Sequence, residues 1–278
     1  MTTTWTLTGF GDEVDPDPRL QAAVLLALGA SHLEVRSAWG TNVADFDEET
    51  TARLRTILDE QGLAVSAVAS PIGKVPAAAP AADELDRLRR VIRTTRALGA
   101  RYIRIFSFYP ADGQPPADIR DAVVERLALF AAEAEAAGVV LVHENEKGIF
   151  GDVPERIADI MSTVDSPALR VAWDNANFVQ VGVRPFTDGY ALLRPWLEYL
   201  QVKDAVAESG TVVPAGEGDG ELAATIEALA ADGYTGFASL EPHLAEGHEF
   251  GGFSGPAAYG QAARAFRRIA EGAGVRLV

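Results

Sequence analysis

The feature that most constrains the fold is a repeated unit, in which a short apolar run passes directly into polar residues. The clearest example is Val139–Val142, which leads into His143, Glu144 and Asn145. An uninterrupted apolar run of this length is typical of a strand buried on both faces, as in a parallel sheet. The pattern recurs at Leu169–Trp173 before Asp174, at Leu197–Leu200 before Gln201, and at Phe237–Leu240 before Glu241.

Helix-forming segments separate the apolar runs along the whole chain, and several of these segments are followed by a glycine that ends a helix. The pattern predicts strands at 5–10, 32–36, 63–70, 102–107, 139–142, 169–173, 197–202 and 236–240. It predicts helices at 15–28, 47–61, 83–98, 119–137, 154–164, 187–193, 221–231 and 256–271. Eight strand–helix units indicate a single α/β domain, a (β/α)8 TIM barrel over residues 1–278. An open doubly wound sheet is disfavoured, because no Gly-x-Gly-x-x-Gly turn follows the first strand.

Charge and composition exclude several classes of function. The net charge of -16 opposes binding to nucleic acid or to an anionic membrane. The chain has no cysteine, which rules out disulfides and thiolate metal sites. Met1–Thr8 lacks the features of a signal peptide, and no apolar run reaches the length of a bilayer span. We therefore expect a cytoplasmic protein with a small-molecule substrate, and a homo-oligomer is compatible with the sequence.

Four polar residues stand at the ends of consecutive predicted strands, where the active site of a barrel lies. They are Glu144, Asp174, Gln201 and Glu241. Three converging carboxylates repel one another unless a cation lies between them. Carboxylate and amide oxygens suit Mn²⁺ or Mg²⁺ best, with Co²⁺ or Zn²⁺ as further options. The set therefore predicts one divalent metal ion, the alternative being four separate capping or salt-bridging residues.

At this point the sequence resembles the xylose-isomerase-like TIM barrels, and within them the sugar phosphate isomerases/epimerases. The segments that carry the resemblance are 143–146 (HENE), 173–178 (WDNANF), 201–205 (QVKDA), 214–220 (PAGEGDG) and 239–243 (SLEPH). The resemblance implies one divalent metal held by Glu, Asp, His and Glu. Two positions depart from the pattern. Gln201 replaces the usual histidine, as in some dehydroshikimate dehydratases, and Asn177 replaces a substrate-binding histidine of sugar epimerases.

The metal and its ligands define a chemistry. A metal that binds a ketone oxygen and the adjacent hydroxyl is a Lewis acid, and it stabilises an enediolate. Glu144 and Glu241 are the catalytic candidates that flank the substrate and exchange its proton. Lys203 lies two residues beyond Gln201, on the same side of an extended strand. It is a third catalytic candidate, as a general acid or an oxyanion stabiliser, unless it simply pairs with Asp204.

Further residues at the strand ends are candidate substrate contacts. Trp39 and Phe108 are candidates for stacking on a sugar face. The cationic candidates could hold a carboxylate or phosphate, and the arginines among them could instead pair with a carboxylate such as Glu34. A phosphorylated substrate is disfavoured, because Glu217 and Asp219 lie in the glycine-rich loop that would have to bind it. The remaining substrate-binding candidates are Arg36, Lys74, Arg104, Asn177 and His243.

The sequence thus predicts a divalent-metal-dependent isomerase or epimerase, acting on a keto-sugar or related polyol through a metal-stabilised enediolate. The alternative is a metal-dependent lyase or dehydratase, similar to dehydroshikimate or inosose dehydratases, which uses the same enolate and loses water. Gln201 favours this alternative. A non-catalytic sugar-binding protein is a weaker alternative. The endonuclease branch of the fold is disfavoured. It needs three zinc ions, many histidines and a basic groove, whereas this chain has four histidines and a net charge of -16.

Overall fold

The structure, a computed structural model, describes residues 3–248 and 251–278. Eight parallel strands form the barrel. Their bounds are β1 Thr3–Gly9, β2 His32–Val35, β3 Ala64–Ala69, β4 Tyr102–Ile105, β5 Val140–Glu144, β6 Leu169–Asp174, β7 Leu197–Val202 and β8 Phe237–Leu240. Each strand pairs with its neighbours in chain order except β1 and β2, which share only an isolated bridge; β8 pairs with β1. The predicted barrel is confirmed, and most strand bounds lie within one or two residues of the prediction.

At the seam between β1 and β2, the structure contains a strand that the sequence pattern did not predict. Near the carboxyl ends, Phe10 pairs with Glu34. At the opposite end, a ninth strand, β9 (Val275–Leu277), runs parallel to the start of β1. The amide of Thr6 bonds to β8, whereas the amide of Leu7 bonds to Val278. Since successive amides of a strand point to opposite sides, β9 covers the edge of β1 that β2 does not reach.

Helices surround the barrel as the sequence predicts. The main ones are α1 Pro18–Ala27, α2 Glu48–Gln61, α3 Ala81–Ala97, α4 Arg120–Ala137, α5 Pro154–Val164, α6 Leu222–Ala231 and α7 Gly255–Gly272. Local chemistry fixes their ends: the Asp47 side chain accepts the amide of Thr50 at the start of α2, and Gly62 ends it with φ of 72°. The helix predicted at 187–193 is a π-helical turn, Pro185–Tyr190, which continues as Ala191–Leu193. No helix in the described residues is long and apolar enough to cross a membrane.

Short elements decorate the carboxyl ends of the strands. The short helix Asn175–Val179 follows β6 directly, and it is absent from the sequence prediction. Three two-stranded hairpins follow β2, β7 and β8, formed by Ser37–Ala38 with Thr41–Asn42, Asp204–Ala205 with Val212–Val213, and Ala245–His248 with Gly251–Phe253. All of these elements lie at the end of the barrel where Glu144 and Asp174 end their strands.

The barrel interior contains a polar layer below these strand ends. The Glu34 carboxylate accepts hydrogen bonds from the Tyr199 hydroxyl at 2.7 Å and the Ser239 hydroxyl at 2.5 Å. Each of these residues precedes a strand-end residue by two positions, so its side chain lies one layer deeper on the same face. Burial raises the pKa of the Glu34 carboxyl to about 7.

This raised pKa makes the ionised form of Glu34 destabilising at neutral pH. The unfolded chain loses the proton near 4.5, whereas the folded chain keeps it to about 7, so stability falls as the pH rises through that window. Glutamine does not ionise. We therefore expect the free energy of unfolding of Glu34→Gln, minus that of wild type, to rise by on the order of 3 kcal/mol between pH 4 and pH 8. Urea unfolding at both pH values measures this. An equal difference at the two pH values would contradict it.

Candidate metal and active site

Three carboxylates meet at the carboxyl end of the barrel. Glu144 and Asp174 are the last residues of β5 and β6, and Glu241 follows β8, where its amide bonds to Val202. One oxygen from each carboxylate lies within 4.8 Å of the others. Their residues are at most 2% exposed. These are the three predicted carboxylate ligands, and the structure brings them together in a buried cluster.

Gln201 joins this cluster from β7, where it pairs with Asp174 of β6 and Ser239 of β8. Its amide Nε2 donates to Glu144 Oε2 at 3.2 Å. Its Oε1 is buried and has no hydrogen-bond partner in the described part of the chain. Such an acceptor is destabilising unless a donor or a cation reaches it. A half-turn of the amide about its last torsion exchanges the oxygen and nitrogen, which directs the oxygen at the carboxylates.

Three cationic side chains also point into the cluster. Lys203 Nζ lies 2.8 Å from Asp174 Oδ2 and 2.9 Å from Glu241 Oε2. Arg104 Nη1 lies 3.1 Å from Glu144 Oε2 and 3.7 Å from Glu241 Oε1. The structure therefore brings Lys203 together with the carboxylates, and Asp204 is not its partner.

Arg36 completes the set of cations. Its Nε bonds to Asp12 Oδ2 at 2.8 Å, and its Nη1 lies 3.4 Å from Glu241 Oε1. Asp12 and Glu13 lie next to the three-carboxylate cluster and bring the buried carboxylates to five, against these three cations and the His243 ring. The lining is therefore rich in carboxylate oxygens, which fits the predicted divalent metal. The five carboxylates are Asp12, Glu13, Glu144, Asp174 and Glu241.

The pKa values reflect the same imbalance. Burial raises the pKa of Asp174 to about 7. Lys203 lowers this pKa, but it does not cancel the effect of burial, to which Glu144 and Glu241 add. Burial also raises the pKa of Glu144 despite Arg104. For Glu241, burial acts upward, but Lys203 and His243 hold its pKa well below the ordinary value. Burial alone would lower the pKa of Lys203, but Asp174 and Glu241 raise it well above its usual range.

Asparagine side chains fix the positions of the ligands. Asn177 Nδ2 donates to Glu144 Oε1 at 3.0 Å and to the Asn145 carbonyl at 2.8 Å. Asn145 in turn bonds both backbone groups of Asp174, at 2.8 and 2.9 Å. Asn177, predicted to bind the substrate, therefore holds the Glu144 carboxylate with one hydrogen bond and the Asn145 backbone with another.

The glycine-rich loop after β7 has its own internal anion. The Asp204 carboxylate accepts the backbone N–H groups of Gly216, Gly218 and Gly220 at 2.8, 3.2 and 2.9 Å. A Cβ atom at Gly218 or Gly220 would lie 2.5 Å from Asp204 Oδ1, which explains glycine there. These amides are the groups that a phosphate-binding loop presents, and here a carboxylate occupies them.

His243 lies beside the cluster. Its Nε2 is 3.3 Å from Glu13 Oε1 and 3.4 Å from Glu241 Oε1. Glu13 Oε2 accepts the His243 backbone N–H and the Ser254 hydroxyl, at 2.9 and 2.8 Å. A Cβ at Gly252 would lie 1.7 Å from the His243 ring, so only glycine lets the backbone pass so close. His243 therefore lies at the edge of the carboxylate cluster, and its contact with the substrate stays a prediction.

Lys74, a predicted substrate contact, lies at the rim of the site. Its Nζ pairs with Glu146 at 2.9 Å and lies 4.3 Å from the Phe106 ring centroid. The side chain of Lys74 is 34% exposed and that of Glu146 is 16% exposed. This pair lies at the entrance and is not part of the three-carboxylate cluster.

The two aromatic candidates do not join the cluster. Arg53 stacks on the Trp39 ring at 4.2 Å, and Trp39 lines a separate cavity of about 570 Å³ with residues of α1 and α2. Phe108 is fully buried, with its ring against Phe130 of α4 and below Arg126. Trp39 and Phe108 therefore lie outside the carboxylate cluster, Trp39 at a separate cavity and Phe108 in the core.

The sequence prediction did not single out Asp12 or Glu13, which hold Arg36 and His243 in place. Both follow the end of β1, so the strand-end rule contained the signal.

Comparison with known proteins agrees with the fold. The chain belongs to the xylose isomerase-like TIM barrel family, whose model matches residues 22–269. A relative, 2-epi-5-epi-valiolone 7-phosphate 2-epimerase of an Actinoplanes species, is 28% identical over 179 residues. That match spans 64% of this chain and 64% of the epimerase, so it covers less than two thirds of either protein.

Solved structures show the same barrel at low sequence identity. A D-tagatose 3-epimerase-like protein has a TM-score of 0.79 at 16% identity, covering 96% of this chain and 98% of that one. The probable 3-DHS dehydratase AsbF of Bacillus anthracis has a TM-score of 0.73 at 16% identity, covering 95% and 98%. The IOLI protein, which binds a zinc atom, has a TM-score of 0.75 at 14% identity, covering 96% and 97%.

Proposed function

We propose that this protein is a divalent-metal-dependent isomerase or epimerase that moves a proton next to the keto group of a sugar or related polyol. The observation that carries the proposal is the buried cluster of Glu144, Asp174 and Glu241, with the unbonded Gln201 oxygen beside it. The family and its epimerase members support this reaction class. We expect cluster residues Glu144, Asp174, Gln201 and Glu241 to hold the metal.

The metal, when bound, supplies Lewis acidity toward adjacent oxygens of the substrate. Glu144 and Glu241 are the candidates for proton transfer, and both lie within 4 Å of Arg104 Nη1. In an epimerase, one of them as a carboxylate takes the substrate proton, and the other, protonated beforehand, gives its own proton to the opposite face. In an isomerase, the carboxyl group that took the proton returns it to the neighbouring carbon. Lys203, next to Glu241, is placed to donate a hydrogen bond to a substrate oxygen.

We further propose that the substrate is uncharged. Asp204 already occupies the amides of the glycine-rich loop, and Lys74 is paired with Glu146. Arg36 and Arg104 are each paired with cluster carboxylates. A phosphate entering this region would meet an excess of carboxylates, which repel it. The phosphorylated substrate named for the Actinoplanes relative therefore does not carry over in this proposal.

A lyase reaction is the second candidate, and Gln201 is the observation that favours it. An amide oxygen donates less charge to a metal than imidazole does, so it leaves the metal a stronger Lewis acid. His243, 23% exposed and next to Glu241, is placed to protonate a departing hydroxyl. The structural similarity to a probable dehydratase is consistent with this alternative.

Solvent exchange distinguishes the reactions. The Mn²⁺-loaded protein is incubated in D₂O with keto-sugars and keto-cyclitols, each tested free and phosphorylated, and followed by NMR and ultraviolet absorbance. An epimerase or isomerase places deuterium beside the keto group of a free substrate and yields an isomer. A dehydratase yields a product with new ultraviolet absorbance. Turnover of only phosphorylated substrates would contradict the proposed substrate class, and the absence of any exchange would contradict the reaction.

A further inference from the structure

The Lys203 ammonium occupies the oxygens that a metal ion needs. Its side chain is 4% exposed, and it bridges Asp174 Oδ2 and Glu241 Oε2 at 2.8 and 2.9 Å. These two carboxylates belong to the cluster whose oxygens converge within 4.8 Å. Lys203 Nζ donates to Glu241 Oε2, whereas its contact with Asp174 Oδ2 is an ion pair without hydrogen-bond geometry. In both contacts the ammonium occupies the space next to the oxygen that a divalent ion needs at shorter range.

The remaining oxygen of Asp174 cannot replace the one that Lys203 contacts. Asp174 Oδ1 accepts the backbone N–H of Asn177 at 2.9 Å, which caps the helix Asn175–Val179. Turning this oxygen toward a metal would remove the cap and leave a buried N–H without a partner. Asp174 must therefore offer Oδ2, the oxygen that pairs with Lys203.

Glu241 is constrained in the same way. Its Oε1 faces Arg36 at 3.4 Å, Arg104 at 3.7 Å and His243 at 3.4 Å. Arg36 donates a hydrogen bond to Oε1, and the Arg104 and His243 nitrogens also lie against this oxygen. The other oxygen, Oε2, is the one that contacts Lys203. Both ligand oxygens are thus held by one ammonium.

We propose that Lys203 is a built-in competitor of the divalent ion, which must move away from Asp174 and Glu241 when the ion binds and so sets the affinity of the site. This inference rests on the proposed metal-dependent function. The competition lowers the metal affinity for two reasons. Lys203 occupies the ligand oxygens, and its positive charge repels the ion. Weakly coordinating cations are therefore excluded more strongly than those that bind carboxylates tightly.

A titration of metal-free protein with Mn²⁺ tests the competition. We expect Lys203→Met to bind Mn²⁺ at least about tenfold more tightly than wild type, since two ion pairs no longer have to break. Lys74→Met is the matched control, because it makes the same substitution and removes one positive charge, but at a lysine that lies at the entrance and pairs with Glu146. Its affinity should stay within about twofold of wild type. Unchanged or weaker binding by Lys203→Met, or equal tightening in Lys74→Met, would overturn the inference.

A second measurement uses the wild-type protein and does not depend on how the variants fold. The chain contains three lysines, Lys74, Lys147 and Lys203, so labelling lysine Nζ with ¹⁵N gives few signals. Saturation with diamagnetic Mg²⁺ should shift the Lys203 signal and leave those of Lys74 and Lys147 close to their original positions. A Lys203 signal unchanged at saturation would overturn the inference. A wild-type protein that binds neither ion would instead refute the proposed function itself.

Discussion

Replacing Glu241 with glutamine is expected to lower kcat by about 10³-fold, and Glu144→Gln should have an effect of similar size. Glutamine keeps the shape of the side chain but cannot accept the substrate proton. Glu241 also contacts Lys203, Arg36 and Arg104, so its neutralisation leaves these cations without one of their partners. Steady-state kinetics on the substrate identified by solvent exchange measures the loss, with substrate binding affected less than turnover.

Glu146→Gln is the matched control for this prediction. Glu146 also follows β5 and is largely buried, but its partner is Lys74 at the rim and it is outside the carboxylate cluster. We expect its kcat to stay within about tenfold of wild type. Loss of turnover in Glu146→Gln equal to that in Glu241→Gln would show that general charge at the entrance, and not the cluster, supports the reaction.

Replacing Gln201 with leucine is expected to weaken Mn²⁺ binding by about tenfold or more. Leucine fills the same volume without an oxygen, and it also leaves Glu144 Oε2 without the amide that bonds it at 3.2 Å. Calorimetric titration of the metal-free variant measures the change. Unchanged Mn²⁺ affinity would show that the ligands are the three carboxylates alone, and the case for lyase chemistry would lose its main support.

Gln201→His provides the complementary variant. Imidazole is a stronger and softer donor than an amide oxygen, so this variant should still bind metal and should shift its preference toward Zn²⁺ or Co²⁺. The ratio of Zn²⁺ to Mn²⁺ affinity, compared with that of wild type, tests this expectation. A ratio that does not change would mean that residue 201 does not contact the ion.

The sequence was sufficient to predict the barrel and the carboxylates of its site. Apolar runs identify buried parallel strands, and the ends of such strands meet at one rim, so Glu144, Asp174 and Glu241 had to lie close together. The same rule failed to place aromatic side chains. Trp39 and Phe108 have φ angles of 53° and 66°, and a left-handed residue turns its side chain out of the strand's alternation.

The partners of buried charges were also beyond prediction from sequence. Lys203 and Asp204 are adjacent, which suggested a pair, but an extended strand directs neighbouring side chains to opposite faces. Lys203 therefore meets Asp174 and Glu241, while Asp204 meets the glycine-rich loop. Contacts of this kind depend on how distant loops pack over the strand ends, and no local pattern encodes that packing.

Titration of the metal-free, folded protein with Mn²⁺ tests the central claim most directly. Oxygens of Glu144, Asp174 and Glu241 converge within 4.8 Å, and the Gln201 oxygen lacks a partner among the described residues. We predict saturable binding of about one Mn²⁺ per chain, lost together in Glu144→Gln and Asp174→Asn. Folded protein that shows no saturable binding of Mn²⁺, Co²⁺ or Zn²⁺ would contradict it.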